Sequence, residues 1–123
     1  MQKIYDPEYY RVVFFSSAPI GTPFLTALHQ DPRFEVVGVV TQQDKPVGRG
    51  LKLTPNVIKQ TALELGFQEQ QIQTPRKINL ETSIEGKNFY DRLQAKSPDF
   101  LVVIAYGKLM PVSLLELPTF API

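Results

Sequence analysis

The chain has 123 residues, enough for one domain with a real core. Hydrophobic residues make up 43% and charged residues 20%, and 13 basic against 12 acidic side chains leave a net charge of +1. An overall field therefore draws no polyanion to it, and any nucleic-acid partner must be held by local clustering. The absence of cysteine excludes disulfides, thiolate metal sites and cysteine nucleophiles. The first residues, MQKIYDPEYYR, hold neither an apolar core nor a small-residue cleavage site, so they do not read as a secretory signal. The longest apolar run, Phe100 to Tyr106, is too short to span a bilayer, and a cytoplasmic protein is the expectation.

In chain order, residues 1–9 read as a polar and aromatic tail. Val12 to Phe15 is a run of β-formers closed by Ser-Ser-Ala-Pro, and predicts a buried strand. Thr22-Pro23 supplies a capping hydroxyl and a Pro at the first helical position. Phe24, Leu25 and Leu28 give that helix its apolar stripe, and Asp31-Pro32 ends it. Phe34 to Thr41 is nearly continuous in β-branched residues and predicts a second strand. Residues 42–53, rich in Gly, Pro, Lys and Arg, read as a mobile loop. Thr54-Pro55 repeats the cap chemistry, Val57, Ile58, Ala62 and Leu65 recur at helical spacing, and Gly66 ends the helix.

Beyond residue 66 the signal weakens, with Ile72-Gln73-Thr74 as a short strand in polar surroundings. Gly86 to Ala95 predicts a helix, with Phe89 and Leu93 four apart, and Ser97-Pro98-Asp99 breaks it. Phe100 to Ile104 is the most apolar strand, and Pro111 opens a last short helix through Leu117. Strands alternating with helices predict an α/β, Rossmann-like, open parallel sheet with helices on both faces. Ligands in such sheets sit beyond the carboxyl ends of the strands, here Phe15–Ser17, Thr41–Gln43 and Ile104–Gly107. No G-x-G-x-x-G follows the first strand, so a dinucleotide cofactor is not expected.

Two segments carry candidate chemistry. Between residues 44 and 59, four cations (Lys45, Arg49, Lys52, Lys59) face one carboxylate, Asp44, for a local charge of +3. Gly48 and Gly50 flank Arg49, whose guanidinium suits bidentate contact with phosphate. Composition alone fits a solvated loop better than a phosphate site. The second segment, Val102 to Pro111, joins a buried strand to a turn with small residues at Ala105 and Gly107. By itself it fits plain core plus a turn better than a flat-ring pocket. His29, the single histidine, reads as a surface residue, and no Ser/His/Asp set or metal-ligand spacing is present.

Both segments resemble one family, the methionyl-tRNA formyltransferases. Residues 37–59, VGVVTQQDKPVGRGLKLTPNVIK, are similar to that family's T-Q-P-D-K/R-P-x-G-R-G-x-K-L-x-P-x-x-V-K. Residues 99–111, DFLVVIAYGKLMP, are similar to its D-L-x-V-V-x-A-Y-G-x-I-L-P. The G-R-G loop is the distinguishing part, because formyltransferases acting on sugar nucleotides share the AYG-like strand without it. Ser16 stands where the family has Gly, Ile20 where it has Phe, and Gln43 where it has Pro.

The resemblance implies strand order 3-2-1-4 and formyl transfer from 10-formyltetrahydrofolate, a co-substrate, to the amine of initiator methionyl-tRNA. It implies tRNA binding by Lys45, Gly48, Arg49, Gly50 and Lys52. It implies a folate pocket walled by Val103, Tyr106, Gly107, Lys108, Leu109 and Met110, and no metal. The family's catalytic Asn, His and Asp follow a segment that this chain matches only to Leu117–Ile123, so no catalytic residue is expected here. Residues 10–123 are thus expected to be the N-terminal portion of a formyltransferase domain, inactive alone, without the domain's C-terminal half and a barrel domain. An exposed edge at Phe100–Ile104 is expected to favour self-association. A non-catalytic RNA- or ligand-binding module and a sugar-nucleotide formyltransferase are the alternatives.

Overall fold

The computed structural model describes residues 9–119. Its centre is a four-stranded sheet of β1 (Tyr10–Ser16), β2 (Phe34–Val40), β5 (Ile72–Gln73) and β6 (Phe100–Ile104), in the order β5-β2-β1-β6. Every pairing is parallel, and this is the predicted 3-2-1-4 order. Helices α1 (Thr22–Gln30), α2 (Val57–Glu64), α3 (Ile84–Ala95) and α4 (Val112–Leu115) connect and cover the strands. A separate antiparallel pair, β3 (Lys45–Val47) and β4 (Lys52–Thr54), lies between β2 and α2.

Side chains alternate across a strand, so Phe14 and Phe15 feed opposite faces of the sheet. Phe14 packs with Leu25, Ile58, Ala62 and Phe67, the layer of α1 and α2. Phe15 packs with Phe89, Leu93, Tyr106 and Leu114, the layer of α3 and α4. Burial on both faces explains why β1 has no polar alternation. In β2 the register against β1 shifts between Val12, opposite Val36, and Val13, opposite Gly38. The extra residue lets Val36 and Val39 share one face while Val37 and Val40 share the other. Among the described residues, strand β6 stands at one edge of the sheet.

Three local expectations need correction. Thr22 is the first residue of α1 and Gly21 its cap, while the Thr22 hydroxyl donates to Pro19 O at 2.9 Å. Thr54 belongs to β4, and the cap of α2 is Asn56, whose side chain accepts from Lys59 N–H. Helix α3 starts two residues early, at Ile84, because Ser83 caps it by accepting from Gly86 N–H at 2.9 Å.

Gly86 lies under the preceding chain. A Cβ there would come 2.8 Å from Asn79 N and collide with the Asn79 carbonyl. Gly86→Ala, ordinarily favourable inside a helix, is therefore expected to destabilise by roughly 1–3 kcal/mol. Urea unfolding checks this, and a higher midpoint for the alanine variant would show that the 79–83 segment yields freely.

Candidate functional site

The carboxyl ends of β1, β2 and β6 meet the start of α2 at one edge of the sheet, and side-chain amides join them. Ser17 follows β1, and its backbone N–H donates to Ala105 O at 3.0 Å, just past β6. Its hydroxyl accepts from Gln42 N–H at 3.1 Å, just past β2. The Gln42 amide then donates to Tyr106 O at 3.0 Å. Asn56 donates to Thr41 Oγ1 at 2.7 Å and to Gln42 O at 3.2 Å, while its oxygen caps α2. One side chain thus fixes both the helix start and the end of β2.

Asn56→Asp keeps the capping oxygen and loses both donors. It is expected to destabilise by about 1–3 kcal/mol, since Thr41 is buried and one acceptor pair goes unmet. Asn56→Ala adds loss of the cap, about 1 kcal/mol more. Denaturant midpoints of the two variants measure the difference, and equal midpoints would mean that the cap contributes nothing.

From this root the β3–β4 hairpin projects, a correction to the expected structureless loop. Lys45 lies opposite Thr54, Pro46 opposite Leu53 and Val47 opposite Lys52. Gly48 and Gly50 turn the tip with φ of 72° and 80°, a region that side chains disfavour. Arg49 sits between them, exposed. Lys59 forms a half-buried ion pair with Asp44 at 3.4 Å. Lys45, Arg49 and Lys52 make no ion pair among the described residues. Of the four cations in this stretch, one is therefore neutralised within the fold and three are offered outward.

Two clefts flank Gln42. One, about 180 Å³, lies between the hairpin and α2, lined by Ser17, Gln42, Lys45, Thr54 and Asn56. The other, about 310 Å³, is lined by Gln42, Gln43, Asp44, Lys45, Arg76 and Lys108. Lys108 donates to Pro75 O at 2.8 Å and to Arg76 O at 2.6 Å, tying the turn after β6 to the segment after β5. Partial burial pushes the Lys108 ammonium pKa down, and Glu85 pulls it the other way. Glu85 accepts from Arg76 N–H at 2.7 Å, which holds its own pKa low.

The remaining residues of the AYG segment divide sharply. The Tyr106 ring is buried, edge-on to Phe15 at 5.3 Å, and its hydroxyl has no hydrogen-bond partner among the described residues. Burial pushes its pKa up to about 12. Val103 and Met110 are half-buried against the same core. Leu109 is 95% exposed and walls no cleft by itself. Gly107 has φ of 92°, and a side chain there would collide with the Gln42 amide. His29 packs on Phe67 with centroids 5.0 Å apart, away from this edge. Among the described residues no three His, Asp or Glu side chains converge as metal ligands, and no helix is long and apolar enough to cross a membrane.

The structure therefore brings the basic tip and the β6 turn to the same sheet edge. Sequence reasoning missed Gln42, Asn56 and Arg76, although Asn56 directly before a helical repeat is a readable cap signal.

Residues 10–121 match the formyl transferase family. The chain is 41% identical over 110 residues to a methionyl-tRNA formyltransferase of Hydrogenobaculum sp., covering 89% of this chain and 32% of that protein. It is 43% identical over 110 residues to the enzyme of that name from Deinococcus radiodurans, covering 89% of this chain and 31% of that protein. Against that of Bifidobacterium longum it is 40% identical over 106 residues, covering 86% and 29%. The chain thus spans about a third of the length of the curated relatives it matches.

Proposed function

Because the chain belongs to the formyl transferase family, we propose that it is the substrate-holding N-terminal portion of a methionyl-tRNA formyltransferase, working in the cytoplasm on 10-formyltetrahydrofolate and initiator methionyl-tRNA. The observation that carries this reading is the hairpin, which offers Lys45, Arg49 and Lys52 beside the β6 turn without an ion pair among the described residues. Cations on an exposed tip suit a phosphate backbone. In this reading Lys45, Arg49 and Lys52 contact the acceptor end of tRNA, and Gly48 and Gly50 let the tip fit it.

The folate ring is placed against the turn at 105–108. Ala105 and Gly107 are exposed on that turn, and Leu109, unpacked in this structure, would find its apolar partner in the bound ring. Val103, Tyr106 and Met110 support the turn from the core side, and Lys108 holds its far end. In formyl transfer the substrate amine adds to the formyl carbon, and the adduct expels the folate nitrogen as that nitrogen takes up a proton. Groups that stabilise the intermediate oxyanion are assigned to sequence outside this chain.

The test is a chimera in which this chain replaces the matched segment, 32% of the Hydrogenobaculum relative. A folded chimera is expected to formylate methionyl-tRNA, and these 123 residues alone to transfer nothing. A folded chimera that formylates an amino sugar nucleotide and ignores methionyl-tRNA would overturn the reading.

A further inference from the structure

Gln42 lies in no strand, helix or ion pair, yet it touches every element of the site edge. Its backbone N–H reaches Ser17 Oγ, its carbonyl accepts from Asn56, and its side-chain amide reaches Tyr106 O. It lines both clefts. It precedes the first hairpin strand by only three residues. The end of the Gln42 amide lies directly against the Gly107 backbone, where a side chain at 107 would displace it.

From this geometry we propose that Gln42 is a positioning residue, which sets the basic hairpin and the Tyr106–Gly107 turn at a fixed separation. Among the described residues no other hydrogen bond or ion pair joins the Gln42–Lys45 hairpin root directly to that turn. The Gln42 backbone is pinned by Ser17 and Asn56, so its side chain carries any displacement of the turn to the hairpin root. This inference rests on the preceding reading for its meaning, because the two elements it joins are the ones assigned to tRNA and folate.

Gln42→Glu tests it. The variant keeps shape and backbone contacts but places a carboxylate oxygen where a donor met the Tyr106 carbonyl. Gln42→Met, uncharged and similar in length, serves where the charge alone unfolds the chain. Hydrogen exchange is followed on this 123-residue chain, with a short RNA acceptor-stem duplex as the binding probe. In either variant, amides of residues 44–54 and 105–108 are expected to exchange about five- to tenfold faster together, while those of β1 and α1 keep their rates.

Unchanged exchange in both segments overturns the proposal, and so does acceleration confined to one of them. Faster exchange in both with unaltered RNA affinity supports the positioning role and removes the tRNA assignment of the hairpin. Faster exchange in both with weaker RNA binding supports both readings.

Discussion

Tyr106→Ala is expected to cost about 3–5 kcal/mol, the usual loss for emptying a buried aromatic site, while Tyr106→Phe is expected to cost nothing or to stabilise slightly. The ring fills the space between Phe15 and the turn after β6, and deleting it would leave that turn without support. The hydroxyl, in contrast, is buried without a hydrogen-bond partner among the described residues. A buried polar group left unmet is unfavourable by about 1–3 kcal/mol, so removing it restores that amount in part.

The same hydroxyl makes stability depend on pH. Burial raises its pKa from about 10 in the unfolded chain to about 12 in the fold. The fold therefore favours the protonated phenol. That contribution is whole below pH 10 and is lost as pH climbs from 10 to 12, at about 1.4 kcal/mol per unit. Urea midpoints of wild type and Tyr106→Phe, measured at pH 8 and at pH 11, isolate the effect. Wild type should lose stability against the Phe variant over that interval. If both decline in parallel, some other group governs the alkaline loss and the Tyr106 hydroxyl is solvated.

What was legible in the sequence follows from which forces are local. Strands β1 and β2 show as apolar runs because both of their faces are covered, and a run of Val and Phe is the direct record of that burial, whereas β6, equally apolar, has only Leu101 fully buried. The hairpin left no such record. Lys45, Pro46 and Val47 are all exposed, so neither continuity nor alternation marks them, and the glycines at the tip read as a loop. The helix caps misled because Thr22-Pro23 and Thr54-Pro55 mimic a cap followed by Pro, whereas Gly21 and Asn56 hold those positions. The site's ties were invisible for a different reason. Gln42 meets a carbonyl 64 residues away and Lys108 one 33 residues away, and backbone acceptors carry no sequence signature. For Tyr106 and Met110 the AYG pattern announces a turn at the ligand edge, but their side chains serve the core beneath it.

On the proposed assignment, Arg49→Ala in a full-length formyltransferase carrying this chain is expected to weaken binding of methionyl-tRNA about 10- to 100-fold and to leave folate binding unchanged. A charge-assisted contact between guanidinium and phosphate is worth about 1.5–3 kcal/mol, and 1.4 kcal/mol corresponds to about tenfold. The guanidinium is exposed on a tip shaped by Gly48, Gly50 and Leu51, all at positive φ, and it makes no ion pair among the described residues. The loss should come with a signature that a general weakening of the fold does not produce. Removing one phosphate contact lowers the slope of log affinity against log salt by roughly 0.7–0.9. Lys59→Ala is the control, because its cation already answers Asp44 at 3.4 Å inside the hairpin root. It should alter stability more than the salt slope. Titrations at several salt concentrations, with tRNA and with folate separately, distinguish the two variants. An Arg49→Ala protein that kept its tRNA affinity and lost folate would exchange the assignments of the hairpin and the β6 turn.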